Sequence, residues 1–514
     1  MGELALPAGW LMPGELMARA RTALSTGYWT RFLPILGALV AFTHLPSFAR
    51  SVWSPDEGYL ATQARMLAGG GVLYDTVVDR KPPLLPWLYE AAFWLFGSAS
   101  LWPLRVLALG AHLTTAALLA ALARRRWGDR AGVVAGVGYA LLSIGLSPED
   151  TQAATFEVFM LPATVLAFWF AQNSRWAAAG FATAVAALTK QTGGAVLFPV
   201  LWLLWRGLRG SDGLARRDAW LRLGLGFLLP VSVIALVTGP AHFVFWVVSG
   251  SSDYASLDGA WLTMLGRAFG NLGILGAAGL GLLVPLATGL RRSLREDRDI
   301  WIWLAASVAG VLTGLHFFGH YYLQLMPPLV LLGTGALARL TRRQGLLQRF
   351  ALGYGALAAT VFCVLGFVWP HQPLQQATSV AEDVTRDTSP QETVLVWGMH
   401  PEIYWLADRI PGTRYLTAGL LTNFAGGRDG KGVGVDRGMA DSWATFEAEM
   451  KERLPEVFVD YSDGAPYAPQ NIAPIRQLLA DHYTLVGRDG DAVIYRMRPS
   501  RQLNDRLHSR NVPN

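Results

Sequence analysis

Apolar runs long enough to cross a hydrocarbon layer about 30 Å thick recur along most of the chain. They fall at residues 31–48, 101–123, 131–146, 156–172, 176–189, 194–205, 221–238, 261–290, 301–317, 321–340 and 350–369. The pattern predicts about eleven membrane spans, and roughly 10 to 13 are compatible with it because the runs flanking Lys190 are short. A further apolar run, 84–96, is short and carries Glu90, which predicts a helix along the membrane face or half of a longer span. From about His371 the pattern changes. Strand-like runs at 393–397, 456–460, 483–486 and 492–496 alternate with helical patterns at 401–408, 443–453 and 472–481. That alternation predicts a small α/β domain over 371–498. The glycine-rich stretch 425–438 reads as a mobile loop, without the strand and helix that a nucleotide-binding glycine motif needs. The stretch 499–514 reads as a disordered tail.

Charge orients this α-helical polytopic membrane protein. Arginines cluster at 124–130, 206–222, 291–298 and 342–349. Under the positive-inside rule those loops are cytoplasmic, and so is the segment 1–30. The loops at 49–100, 147–155, 239–260 and 317–320 then lie outside, with the C-terminal α/β domain. The expected location is the cell (inner or plasma) membrane, with multiple passes. No cleavable signal is expected, the first span acting as the insertion signal.

Composition agrees with that class. Hydrophobic residues make up 52% and charged residues 16%, and the mean hydropathy is +0.31, which excludes an ordinary soluble domain. The net charge of +6 is accounted for by topology and calls for no nucleic-acid partner. The single cysteine, Cys363, lies in the last span and rules out an internal disulfide.

Polar residues at a membrane boundary are the candidate chemistry, because ionisable groups there are costly to keep. Asp56 and Glu57 follow Ser54-Pro55 in the first outer loop, and Arg80-Lys81-Pro82-Pro83 closes it. The next outer loop brings Glu149 and Asp150, with Glu157 at the mouth of a span. A later one brings His316, His320, Tyr321 and Tyr322. Acids on one side of the membrane, with Arg80 and Lys81 to hold an anion, make an acid–base and phosphate-binding pocket. The plainer readings are a solvated helix N-terminus for the acid pair and polar loop packing for the histidines, which at one-turn spacing would share a helical face. For Lys190 the plainer reading is snorkelling, set against a role at a lipid phosphate.

Asp56-Glu57-Gly58-Tyr59, the small-residue turn 69–71, Tyr74-Asp75 and Asp79-Arg80-Lys81-Pro82-Pro83-Leu84 followed by Trp87 resemble a known first outer loop. It is that of the C-type membrane glycosyltransferases, in the branch of dolichyl-phosphate-mannose–protein mannosyltransferases and bacterial aminoarabinose lipid A transferases. Leu188-Thr189-Lys190, His320-Tyr321-Tyr322 and Pro327-Pro328 are similar to that branch too. The resemblance implies an enzyme that moves a sugar from a polyprenyl-phosphate donor to an extracytoplasmic lipid, protein or polysaccharide. Asp56 then matches the catalytic carboxylate and Glu57 its companion. Lys81 matches the donor-phosphate ligand, supported by Arg80 and Lys190, and Tyr59, Tyr74 and Asp79 line the pocket. Some relatives carry an acidic residue just before the lysine as part of a zinc site. Arg80 stands there in this chain, so no metal is expected, although His242, His320 and Tyr321 could gather nearby. No nucleotide or other cofactor is called for. The alternative from another class is a transporter or flippase of a polyprenyl-linked or polar solute. Against it, the polar residues cluster at one face rather than at mid-depth.

Overall fold

The computed structural model describes residues 27–210, 212–251, 257–340 and 345–499. The expected segment 1–30 falls mostly outside these residues, and the expected tail 499–514 almost wholly. Among the described residues, four helices are each long and apolar enough to cross a membrane: Trp102–Trp127, Gly213–Val237, Gly319–Ala338 and Gly345–Asp387. A fifth results if Trp261–Ala278 and Leu280–Thr288, which meet at an 83° bend, form one broken span. Other expected runs are split where proline or glycine interrupts the helical ladder. The run 31–48 becomes the helix Gly27–Thr43 and a 3₁₀ turn, Leu45–Ala49, with Pro46 in it. The run 194–205 is entered through a 3₁₀ segment, Gln191–Val196, before the helix Leu197–Gly207. Helix lengths alone therefore do not fix the number of spans.

The first polar loop, 49–100, is more ordered than its polarity predicts. Pro55–Ala68 is a helix because Ser54 caps it, Pro55 occupies its first turn, and Asp56 and Glu57 meet the positive end of its dipole. Leu84–Phe96 is a second helix, burying Leu85, Tyr89 and Phe93. Its Trp94, Leu95 and Phe96 are exposed, an apolar face suited to a lipid boundary.

In the C-terminal domain five strands form one sheet in the order β2-β1-β3-β5-β4. β1 (Thr393–Gly398) pairs in parallel with β2 (Ile410–Pro411) and β3 (Val457–Tyr461). β5 (Ala492–Met497) runs antiparallel between β3 and β4 (Tyr483–Asp489). All six residues of β1 are buried, as a central strand covered on both faces requires. The four strands expected from the pattern are present. β2, two residues long, carries too little pattern to be read from sequence.

The two domains share a core. Leu73, Tyr74, Val77 and Val78 of the first polar loop pack in one cluster with Trp246 and Val247 and with Trp397, Leu420 and Phe458 of the C-terminal domain. Helix Pro55–Ala68 lies directly on the short helix Glu402–Leu406, and Gly58 is what allows it. A Cβ there would sit 2.3 Å from that of Glu402. Thr62 donates to the Pro401 carbonyl at 3.1 Å, and Arg65 pairs with Asp408 at 3.0 Å. Gly58→Val is therefore expected to lower domain stability by about 1–3 kcal/mol through overpacking. Thermal unfolding followed by tryptophan fluorescence checks this, and an unchanged midpoint would contradict the close-packing account.

Candidate functional site

Asp56 stands in the first turn of its helix with its side chain half exposed, on the wall of a cavity of about 910 Å³. Lys81, Arg80, Asp79 and Tyr59 from the same loop line that cavity, as do Lys190 and Tyr321. One flank is apolar, formed by Phe227, Val231, Phe243 and Val247. The helix Gly213–Val237 that supplies Phe227 and Val231 is only 6% buried over its most apolar window, so this flank adjoins the lipid-facing side. The opposite cover comes from the C-terminal domain, through Met399, Thr417, Leu420 and Phe424. An apolar wall beside a cationic one suits an amphiphile with an anionic head.

Glu57, expected as the catalytic companion of Asp56, is instead fully buried and does not line the cavity. Its carboxylate pairs with Arg105 at 2.8 Å and accepts from the backbone N–H of Trp53 at 2.9 Å and of Ala154 at 2.7 Å. Arg105 also donates to the carbonyls of Ser47, Arg50 and Ser51. This hub fixes where helix Pro55–Ala68 begins, and therefore where Asp56 points. Arg105 was not singled out in the sequence, yet a signal existed: it is the one charged residue inside the apolar run 101–123.

His320 joins three carboxylates. Asp150 accepts from its backbone N–H at 2.9 Å and lies 3.0 Å from its Nδ1. Nε2 then faces Asp56 at 3.8 Å and Glu157 at 3.9 Å. Gly319 makes this approach possible, since a Cβ there would run into the Asp150 carboxylate. Lys190 is buried in an ion pair with Glu157, and its Nζ lies 4.0 Å from the Tyr321 ring centre. It does not snorkel, because a buried carboxylate meets it. Lys81 has its Nζ 5.0 Å from the ring centre of Phe156. The Tyr74 hydroxyl donates to the Lys81 carbonyl at 2.7 Å, and Gln191 donates to the Arg80 carbonyl at 2.6 Å. Asp79 accepts from Gln63 at 3.3 Å, and burial raises its carboxyl to about 6 against the opposing pull of Lys81.

Other expected residues lie elsewhere. Tyr74 is buried behind the loop and does not line the cavity; its hydroxyl holds the Lys81 backbone and its carbonyl accepts from Trp246 at 3.0 Å. Glu149 faces His371 and Trp369 where the last long helix meets the C-terminal domain. Tyr322 donates to the Ala268 carbonyl and does not line the cavity. His316 and His320 share no helical face, because positive φ at Leu315 and Phe317 breaks the helix between the spans and buries His316. His242 is exposed and does not join His320, whereas its neighbour Phe243 lines the cavity. Among the described residues no three His, Cys, Asp or Glu side chains are arranged to hold a metal ion.

Residues 80–236 match the model of the dolichyl-phosphate-mannose-protein mannosyltransferase family. No relative was found among curated protein sequences. Among solved structures the chain is similar to ArnT from Cupriavidus metallidurans bound to undecaprenyl phosphate, with a TM-score of 0.61 and 18% identity. That match covers 93% of this chain and 99% of the other. A match to the Archaeoglobus fulgidus oligosaccharyltransferase complex with Zn and sulfate has a TM-score of 0.51 and 13% identity, covering 84% of this chain and 68% of that one. The chain thus has the fold of the C-type membrane glycosyltransferases.

Arg105→Leu leaves the Glu57 carboxylate buried without its cation, at an expected cost of about 3–5 kcal/mol. Chemical denaturation of the purified protein checks this, and a variant as stable as wild type would sink the hub. For Asp79, the folded protein holds the carboxyl proton more tightly than the unfolded chain, so its contribution to stability declines as pH rises from 3.8 to about 6. Asp79→Asn should therefore raise the melting temperature more at about pH 7.5 than at about pH 4.5. An equal effect at both would contradict the raised carboxyl.

Proposed function

We propose that the protein is an integral membrane glycosyltransferase that moves a sugar from a polyprenyl-phosphate donor to an extracytoplasmic acceptor. One observation carries this reading: a single cavity sets the Asp56 carboxylate and the Lys81 and Arg80 cations beside an apolar wall on the lipid-facing side. The undecaprenyl phosphate bound to the similar ArnT structure supports a donor of that chemistry. The multi-pass arrangement supports a place in the cell membrane, and the arginine clusters at 124–130, 206–222, 291–298 and 342–349 support the site and the C-terminal domain on the outer side and the N-terminus inside.

In the proposed step an acceptor hydroxyl oxygen attacks the anomeric carbon from the face opposite the phosphate. The new C–O bond forms as the bond to the phosphate oxygen breaks, and the anomeric configuration inverts. Asp56 takes the hydroxyl proton. His320 lies within 3.8 Å of that carboxylate and is oriented by Asp150, so it positions Asp56 and adds positive charge to it when protonated. The polyprenyl phosphate leaves as an anion, and Lys81 and Arg80 stabilise the charge that develops on it. Lys190 stays paired with Glu157 and contributes to the field rather than gripping phosphate alone. With cations supplied by side chains, the step calls for no metal and no nucleotide.

Native mass spectrometry with undecaprenyl phosphate tests the donor half of this reading. Wild type is expected to hold one lipid, and Lys81→Ala to weaken binding by about tenfold or more, equivalent to about 1.4 kcal/mol. Equal binding by both proteins would remove Lys81 from the donor site.

A further inference from the structure

A second chamber, of about 240 Å³, lies where the outer loop before Trp261 meets the glycine-rich stretch of the C-terminal domain. Its side chains are Asp258, Asn423, Arg428, Asp436 and Arg437, and the rest of its wall is glycine. None of these residues lines the main cavity. The two spaces are nevertheless one residue apart along the chain, for Asn423 lines the chamber while Phe424, Ala425 and Gly426 line the cavity.

The wall between them is pinned. Gly426 and Gly427 take φ of +69° and +81°, and a Cβ on Gly427 would lie 2.6 Å from Thr263 Cγ2, so only glycine lets the chain pass this close. The Asp429 N–H donates to the Gly259 carbonyl at 2.8 Å, and Arg267 donates to the Gly426 carbonyl at 3.2 Å. The stretch expected to be a mobile loop is therefore tied to the membrane domain by these contacts. Asn423 and Arg428 form the buried end of the chamber, with Arg428 donating to the Asn423 carbonyl at 2.5 Å. Asp436 and Arg437 are exposed at its mouth, 3.6 Å apart.

Size and charge together select a ligand class. A single water needs roughly 10–15 Å³ of such space, so the chamber has room for a far larger polar group. Two guanidinium groups are balanced by two carboxylates. An anion drawn to the arginines would meet Asp258 and Asp436, so the set gives no net attraction for phosphate. A neutral polyol suits both halves: carboxylates accept from its hydroxyls, while guanidinium and amide groups donate to its oxygens.

We infer that this chamber is a saccharide subsite for the acceptor, holding one neutral sugar unit while the attacking hydroxyl reaches the cavity at Asp56. The inference rests on the glycosyl-transfer reading and deepens it. The acceptor is then a glycan or a glycolipid, and not a bare hydroxyl of a protein chain.

Photo-crosslinking tests it, using diazirine-tagged methyl glycosides of neutral hexoses on the full-length protein, with labelled peptides mapped by mass spectrometry. At least one glycoside should label the 423–438 stretch and be displaced by its untagged form. The double variant Asp436→Asn/Arg437→Gln, altered only at the exposed mouth, should label about tenfold less while undecaprenyl phosphate binding stays at the wild-type level. Arg428→Lys, which keeps the charge but loses the fork, should show the same loss. Absence of displaceable labelling, equal labelling of the variants, protection by inorganic phosphate, or preferential labelling by a tagged Ser/Thr peptide would each overturn the subsite. Failure of wild type to bind undecaprenyl phosphate would instead overturn the glycosyl-transfer reading, so the two failures are told apart.

Discussion

The buried pair of Glu57 and Arg105 is the constraint on which the site depends. Neither charge has access to water, so each must be met by the other and by backbone dipoles. The partners they use come from four segments: the turn after the first helix, the start of the first-loop helix, the membrane helix Trp102–Trp127, and the second polar loop at Ala154. Meeting that demand brings two polar loops to one place. It also turns Asp56, the residue before Glu57, out of the core and into the cavity. The adjacent acids thus divide by environment, one holding the scaffold and the other facing the cavity.

A second layer of organisation comes from the C-terminal domain. Its short helix lies on the first-loop helix across Gly58, and its loops cover the cavity from outside. The cavity therefore has three chemically distinct sides: lipid-facing and apolar, loop-borne and cationic, and a cover from the sheet domain. An amphiphilic donor suits the first two. The cover is where a polar acceptor would come in, and the second chamber lies beside it.

Much of this was legible in the sequence where the signal is local. The span pattern describes the membrane class. The first-loop residues Asp56, Asp79, Arg80 and Lys81 stand close together in the chain and line one wall. Glu57 misled because composition cannot tell a solvated acid from one whose partner lies 48 positions away. The grouping of His320 with Asp150 and Glu157 was visible only as shared sidedness, since their contact depends on how separate spans pack. Helical spacing failed for His316 and His320 because positive φ angles break the helix between them. The cover from Leu420 and Phe424, and the chamber at Arg428, arise from domain docking and leave no periodic trace.

The central claim, that Asp56 drives sugar transfer from a polyprenyl-phosphate donor, is tested most directly in cells by mass spectrometry of the polyprenyl-phosphate lipid pool. A strain lacking the protein should accumulate a polyprenyl-phosphate sugar, and wild-type protein should clear it. Asp56→Asn, inserted in the membrane at the wild-type level, should leave the donor accumulated. Clearance by Asp56→Asn, or a lipid pool that does not change on deletion, would contradict the account.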